Sequence, residues 1–431
     1  MGGGTIQLVA TGGQDVHLIG NPGHSFFKSV FRKHTNFSIE CINIQNIGNI
    51  KSGETELNYE IPRIGDLLSK MHFEIDLPNQ TVSSSGWCSY SNTTGFSFLN
   101  EVSVEIGGEL IDRHDGRWYD ILNELTGSGS SNESGDNLDY LINNSSTWPN
   151  EEETTPKRTQ MFIPLKFWFC KDYSKSIPII ALQYHHLNIK AKFRGIKNII
   201  NADANISGNP DVLPATEIKL WGNYIFLDTD ERKRFAQNSH EYLIEQVQLV
   251  SKDYSQNIEC NLNHPVKSLY WVIQNNEAIL EKNDFTNINS KNNLTNGNEW
   301  VNGNDFLNYN THLQVNPTYL QSSIKYSHFS KMNIKFNGID RFEKRNSSYF
   351  RTIQPLEHGY HYPEKNIYMY SFSLYPNDTE ISGSCNFSII DNFTLHFEGD
   401  QTYTGYKIYL YSINYNILNI MSGYGGLLYS N

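Results

Sequence analysis

Histidine pairs are the first place to look for chemistry in this chain. His185 and His186 are adjacent, and on a strand neighbouring side chains point to opposite faces, so the two could not share one metal ion. His358 and His361, in the run HGYH, could approach one another in a loop, but a surface turn explains them more simply than a metal site. Asp228, Asp230 and Glu231 form an acidic helix start, where capping and the helix dipole account for carboxylates without acid–base catalysis. Gly2-Gly3-Gly4 and Gly423-Tyr424-Gly425-Gly426 lack the strand–loop–helix setting of a phosphate cradle. Walker loops, dinucleotide fingerprints, zincin helices and nucleophile elbows are missing from the sequence. The expectation is no catalytic residue, no metal, no cofactor and no enzyme.

Composition narrows the field further. The net charge of −12 suits a nucleic-acid binder poorly, because that affinity comes from Lys and Arg neutralising phosphates. Arg32-Lys33-His34 and Arg232-Lys233-Arg234 are local basic runs that solvated surface charge explains. Cys41, Cys88, Cys170, Cys260 and Cys385 are scattered, with no CxxC pair, which argues for a reducing compartment and against a disulfide framework. No signal peptide is visible, and no apolar run approaches the roughly 18 residues of a membrane span. Ile6 stands where a myristoylation signal wants Ser or Thr. A soluble protein made in cytosol is expected. N-x-[ST] sequons are frequent, with Asn79, Asn92, Asn132 and Asn293 as possible glycosylation sites.

The elements that would carry such residues read as strands. Twenty-six Tyr and 23 Phe favour half-buried pleated surfaces. Strand patterns cover 37–44, 68–77, 101–106, 185–193 and 218–227, then 242–250, 268–273, 332–336, 367–374, 393–397 and 406–414. Gly, Asn, Asp and Pro separate them, as in an antiparallel sandwich or barrel. Helical periodicity is scarce, and the best short helix is 228–239, capped by Asp228 or Thr229. The segments VEIGGELIDRHDGRWY (104–119) and IKFNGIDRFEKRNSSYF (334–350) share strand, Gly, Ile-Asp-Arg and paired aromatics. Asp112 maps to Asp340, about half the chain apart, as expected if one fold occurs twice. The Gly/Ser/Asn-rich stretch 126–155 and the Asn-rich stretch 283–310 are expected to be surface excursions.

The ends, MGGGTIQLVATGGQDVHLIGNPGHSFFKSVFRKHTNF (1–37) and NYNILNIMSGYGGLLYSN (414–431), resemble those of the major capsid proteins of nucleocytoplasmic large double-stranded DNA viruses, such as chlorella viruses. IIALQYHHLNIKAKF (179–193), WGNYIFLDTDERKRFAQNSHEYLIEQVQ (221–248), IDRFEKRNSSYF (339–350) and CNFSIIDNFTLHF (385–397) extend the resemblance over nearly the whole chain. It implies an all-β fold of two tandem eight-stranded antiparallel jelly rolls joined by a short helical connector. The expected parts are an N-terminal arm (1–24), a first jelly roll (25–227), the connector (228–240) and a second jelly roll (241–431). It also implies pseudo-hexagonal homotrimeric capsomers tiling an icosahedral virion, synthesised and assembled in the host cytoplasm. The partners would be neighbouring capsomers, minor capsid proteins beneath the shell and an internal membrane, with no direct nucleic acid. In the family the arm lies beneath the capsomer.

Ile6, Leu8, Val9, Phe26 and Phe27 of the arm, and Ile417, Leu418, Ile420 and Met421 near the C-terminus, are the expected assembly residues. An ordinary last core strand also explains the C-terminal set. Two other readings are a carbohydrate-binding β-sandwich, using Trp118, Trp148, Trp168 or Trp300, and a jelly-roll glycoside hydrolase, which needs two carboxylates about 5–10 Å apart.

Overall fold

Alternation of apolar and polar side chains builds several of the strands: Leu187–Phe193, LNIKAKF, is buried at every second position. The computed structural model describes residues 3–15, 19–29, 31–48, 53–78, 81–82, 88–91, 93–127, 159–202, 210–211, 217–275, 306–307, 309, 327–399 and 405–430. Most of the two long excursions, with Asn132 and Asn293, lie outside these residues, and so do Asn79 and Asn92.

The first half has eight principal strands. They are β1 (Phe37–Gly48), β2 (Thr55–Glu60), β3 (Leu67–Leu77), β4 (Leu99–Ile106), β5 (Glu109–Asp115), β6 (Thr159–Pro164), β7 (Leu187–Phe193) and β8 (Glu217–Leu227). They form two sheets, in the orders β1-β8-β3-β6 and β2-β7-β4-β5. The second half repeats the set: β9 (His240–Asp253), β10 (Asn257–Cys260), β11 (Pro265–Asn275), β12 (Lys331–Phe336), β13 (Ile339–Asp340), β14 (Ile367–Ser371), β15 (Phe393–Glu398) and β16 (Tyr406–Met421). Its sheets run β9-β16-β11-β14 and β10-β15-β12-β13. Adding eight to each label of the first half reproduces the second. This is one jelly roll present twice.

The short sequence repeat marks equivalent places. Gly107 and Gly108 (φ 59° and 87°) close the β4–β5 hairpin, and Asn337 and Gly338 (φ 50° and 82°) close β12–β13. Two consecutive positive φ values match the right-handed twist of the flanking strands, which is why Gly and Asn stand there. Helical structure follows each hairpin. In the first half it is a helix, α2 (Gly116–Thr126), numbered after α1 (Gly3–Val9) of the arm. In the second it is a π-helical turn at Tyr349–Ile353 continued by Gln354–Glu357.

The connector helix α3 spans Thr229–Gln237, with Asp230 and Glu231 in its first turn. Asp228 occupies the N-cap position but makes no side-chain capping bond. A short strand, β17 (Tyr424–Leu427), folds back on the end of β16.

Two apolar clusters form the interior. One fills the first half, where Phe73 meets Tyr59 and Phe193 at ring separations of 5.7 and 5.4 Å. The other fills the second half around Trp271, stacked on Tyr368 at 5.9 Å. Strand β11 serves both. Tyr270 and Val272 belong to the first cluster, and Leu269, Trp271 and Ile273 to the second. A strand buried on both faces loses the in–out alternation of a surface strand.

The chain resolves into two units, Met1–Phe37 and Ser38–Asn431. In the first, α1 leaves Ile6, Leu8 and Val9 exposed. Cys41, Cys170, Cys260 and Cys385 are free thiols. Among the described residues no helix is long and apolar enough to cross a membrane.

Candidate assembly site and the seam between the halves

Both halves meet along a buried polar seam, and helix α2 is its main contributor. Asp115 caps α2 by accepting from the Trp118 backbone N–H at 2.8 Å. This fixes Arg117 one residue into the helix, facing the second half. Its guanidinium lies 3.6 Å from the centre of the Tyr409 ring. Nε donates to Gln274 Oε1 at 3.2 Å, and Nη1 reaches Asp115 Oδ2 at 3.2 Å and Tyr411 Oη at 3.3 Å. The Tyr411 hydroxyl donates to Asp115 Oδ2 at 2.7 Å. Burial opposes the charge on Arg117, but Tyr411 and Asp115 hold its pKa above the usual arginine value. Gln274 in turn donates to the Phe306 carbonyl at 2.8 Å.

That last bond corrects one expectation. The Asn-rich stretch 283–310 is not surface excursion throughout, because Phe306, Leu307 and Tyr309 are buried. Three apolar side chains within four positions are enough to draw the end of the stretch back onto the seam, where Phe306 lies under Arg194 at 4.3 Å.

Further along α2, Lys365 of the second half donates to both Asp120 oxygens, at 2.6 and 2.8 Å, and lies 3.7 Å from Glu124. Burial, only partly offset by Lys365, pushes Glu124 up to about 7. Burial likewise pushes Lys166 down to about 7. A second charged knot centres on Glu245 of β9, whose oxygens lie 2.5 Å from Lys267 and 2.6 Å from Lys171 of the first half. Burial works against the carboxylate, but the two ammonium groups outweigh it and hold Glu245 down to about 2.

Asp112 adds a third link. Its Oδ1 accepts from the Val247 backbone N–H at 3.0 Å and its Oδ2 lies 2.9 Å from His114 Nε2. Beside it a cleft of about 360 Å³ is lined by Asp112, His114, Asp115, Gln246, His264 and Tyr411.

The C-terminal glycines close the seam at its far end. Tyr184 stacks on Tyr424 at 5.1 Å, and His185 Nδ1 lies 2.8 Å from the Gly425 carbonyl. A Cβ on Gly425 would meet Leu182 at 2.8 Å and Ile106 at 3.0 Å. The GYGG run therefore permits close approach to the first half.

Of the expected assembly residues, Phe26 and Phe27 are exposed, like the three on α1, and so is Met421. Ile417 is half-buried, while Leu418 and Ile420 are buried in the chain's own interior. Those two finish the last core strand, because alternate residues at the end of β16 face inward. Trp118 and Trp168 are buried too, so neither offers a ring to a sugar; Trp148 and Trp300 lie outside the described residues. His186 lies 2.8 Å from Glu60, whereas His185 contacts the Gly425 carbonyl. His358 Nδ1 lies 3.1 Å from the Leu374 carbonyl, while the His361 backbone N–H donates to Leu125 at 2.8 Å. Among the described residues no three His, Cys, Asp or Glu side chains are grouped to hold a metal. Arg117, Glu245 and Lys267 escape sequence reasoning, since nothing in their neighbours signals that these charges are buried.

Two jelly rolls of one strand order, fused through such a seam, define the double jelly-roll class of capsid proteins. A family model described as major capsid protein N-terminus matches residues 25–228, and one described as large eukaryotic DNA virus major capsid protein matches residues 231–426. The chain belongs to this family, the major capsid proteins of large eukaryotic DNA viruses.

It is 34% identical to the major capsid protein of Pyramimonas orientalis virus and 33% identical to that of Paramecium bursaria Chlorella virus 1, in each case over the whole of both chains. The capsid protein in the quasi-atomic model of the PBCV-1 capsid superposes with a TM-score of 0.73 at 30% identity, covering 94% of this chain and 100% of that one. The Faustovirus major capsid protein shares the fold, with a TM-score of 0.72 at 13% identity, covering 95% of this chain and 94% of that one. The chain is thus a structural protein of a virion capsid, and no comparison points to a carbohydrate-binding sandwich.

Proposed function

We propose that three copies of this chain close into a pseudo-hexagonal homotrimeric capsomer, and that capsomers tile an icosahedral shell. The observation that carries this reading is the repeated strand order, offset by eight, with both halves joined through one buried seam. Three such chains around a threefold axis present six equivalent sandwiches, and six-fold outlines pave flat facets. Heterologous contacts that close into a ring are the natural route to a C3 trimer. Obligate interfaces of that kind bury more than about 2,000 Å². Contacts between capsomers are smaller, and their sum over many copies stabilises the shell.

In this reading residues 1–24 form an arm beneath the capsomer, 25–227 and 241–431 are the two jelly rolls, and 228–240 is the connector. The exposed Ile6, Leu8, Val9, Phe26, Phe27 and Met421 are the residues free to meet neighbouring capsomers, minor capsid proteins or an internal membrane. Synthesis and assembly take place in host cytoplasm. Light scattering after size-exclusion chromatography tests the reading. The expected mass is three times 49.5 kDa, about 149 kDa, stable to dilution. A monomer at every concentration would overturn the capsomer.

A further inference from the structure

Between Asp15 and Glu40 the chain has no acidic residue, yet it carries Lys28, Arg32 and Lys33 together with His17, His24 and His34. Against a total of −12, these three cations leave −15 on the remainder, so the segment is of opposite sign to the rest of the molecule. The same segment exposes three phenylalanines almost completely: Phe26 at 91%, Phe27 at 100% and Phe31 at 82%. Full exposure of three rings within six positions leaves their apolar surface unspent.

We infer that the segment His24–His34 is a lipid-facing element, which seats its three rings at the headgroup–acyl boundary of an anionic bilayer while its cations pair with the headgroup phosphates. The spacing of the charges supports this occupant. Lys28 lies between Phe27 and Phe31, and Arg32 and Lys33 follow directly, so rings and cations alternate along a short stretch. Interfacial segments combine Phe with Lys and Arg in this way. Duplex DNA would engage the cations but leave the rings in water. A protein partner would need a pocket for each ring.

The inference rests in part on the capsomer reading. Three cations on one such segment bind an anionic surface weakly, whereas three copies of the segment on one trimer act together through multivalency. The rings are exposed, so replacing them does not disturb the apolar interior.

The test is flotation of the full-length protein with vesicles of phosphatidylcholine alone and of an equal mixture with phosphatidylserine. The oligomer mass of every sample is measured in parallel. The expected result is capture by the anionic vesicles only, reversed by salt. Capture falls about tenfold or more, with mass unchanged, in Phe26→Ser/Phe27→Ser/Phe31→Ser and in Arg32→Gln/Lys33→Gln. Four outcomes overturn it: no capture, equal capture of the triple-Phe variant, displacement of vesicles by a duplex DNA competitor, or a changed oligomer mass in the triple-Phe variant. The last would assign the rings to contacts between copies. Capture of a monomeric protein would sink the trimer while sparing the lipid contact.

Discussion

Lys267 Nζ lies 2.5 Å from Glu245 Oε1, and the Lys267 side chain is wholly shut off from solvent. Removing the carboxylate charge would leave that ammonium buried without its counter-ion, with the Asp378 carbonyl as a remaining partner. Glu245→Gln is therefore expected to destabilise the chain by about 3–5 kcal/mol, read as a shift in the denaturant midpoint. The ordinary carboxyl value is 4.5 and the folded value about 2. The stabilisation is thus present above pH 4.5 and is lost as the pH falls through about 2. A variant as stable as the parent would show that the knot contributes nothing.

Glu124 should respond in the opposite sense. Its pKa rises from 4.5 to about 7 on folding. The folded chain keeps a proton that the unfolded chain releases between those values, so this contribution is whole below pH 4.5 and gone above about 7. Lys166, lowered from 10.5 to about 7, adds stability as the pH rises from about 7 towards 10.5. Together they place a minimum of stability near pH 7. Glu124→Gln should flatten the acid side, where the group changes stability by at most about 1.4 kcal/mol per pH unit. Melting temperatures across that range decide the matter, and an unchanged acid slope would count against the assignment.

Adjacent glycines of the C-terminal hairpin should differ. A methyl on Gly425 meets packed Leu182 and Ile106, whereas one on Gly426 meets the end of the flexible Glu109 side chain at 2.9 Å. Gly425→Ala should cost about 1–3 kcal/mol and Gly426→Ala less. Equal melting temperatures for the two variants would show that the hairpin is not pressed against the first half.

The C-terminal set can be divided in the same manner. Leu418→Ala should cost about 2–5 kcal/mol, because it opens a cavity in the interior. Met421→Ala should leave chain stability within about 0.5 kcal/mol. A weakened oligomer in Met421→Ala alone would identify that residue as a contact between copies.

How far the fold could be read in advance depended on where each segment lies. Segments such as FTLHF in β15 alternate cleanly because one face is wet, and all eleven strand patterns correspond to strands of the structure. Strand β2, TELNYE, escaped because Leu57 and Tyr59 are its two buried side chains. Helix α2 escaped for the opposite reason. GRWYDILNELT is buried on nearly every side, so its buried Arg117 and Asp120 read as surface charges. The seam was illegible for a related cause: its partners lie far apart along the chain, as with Arg117 and Gln274, 157 positions from one another.

Strand β11 carries a consequence for heredity. Its odd and even positions answer to different interiors, Trp271 to one and Tyr270 to the other. Whatever its origin, the doubled fold has become indivisible. Neither half retains a complete core if cut from its twin, and any substitution along this strand is judged by two neighbourhoods at once.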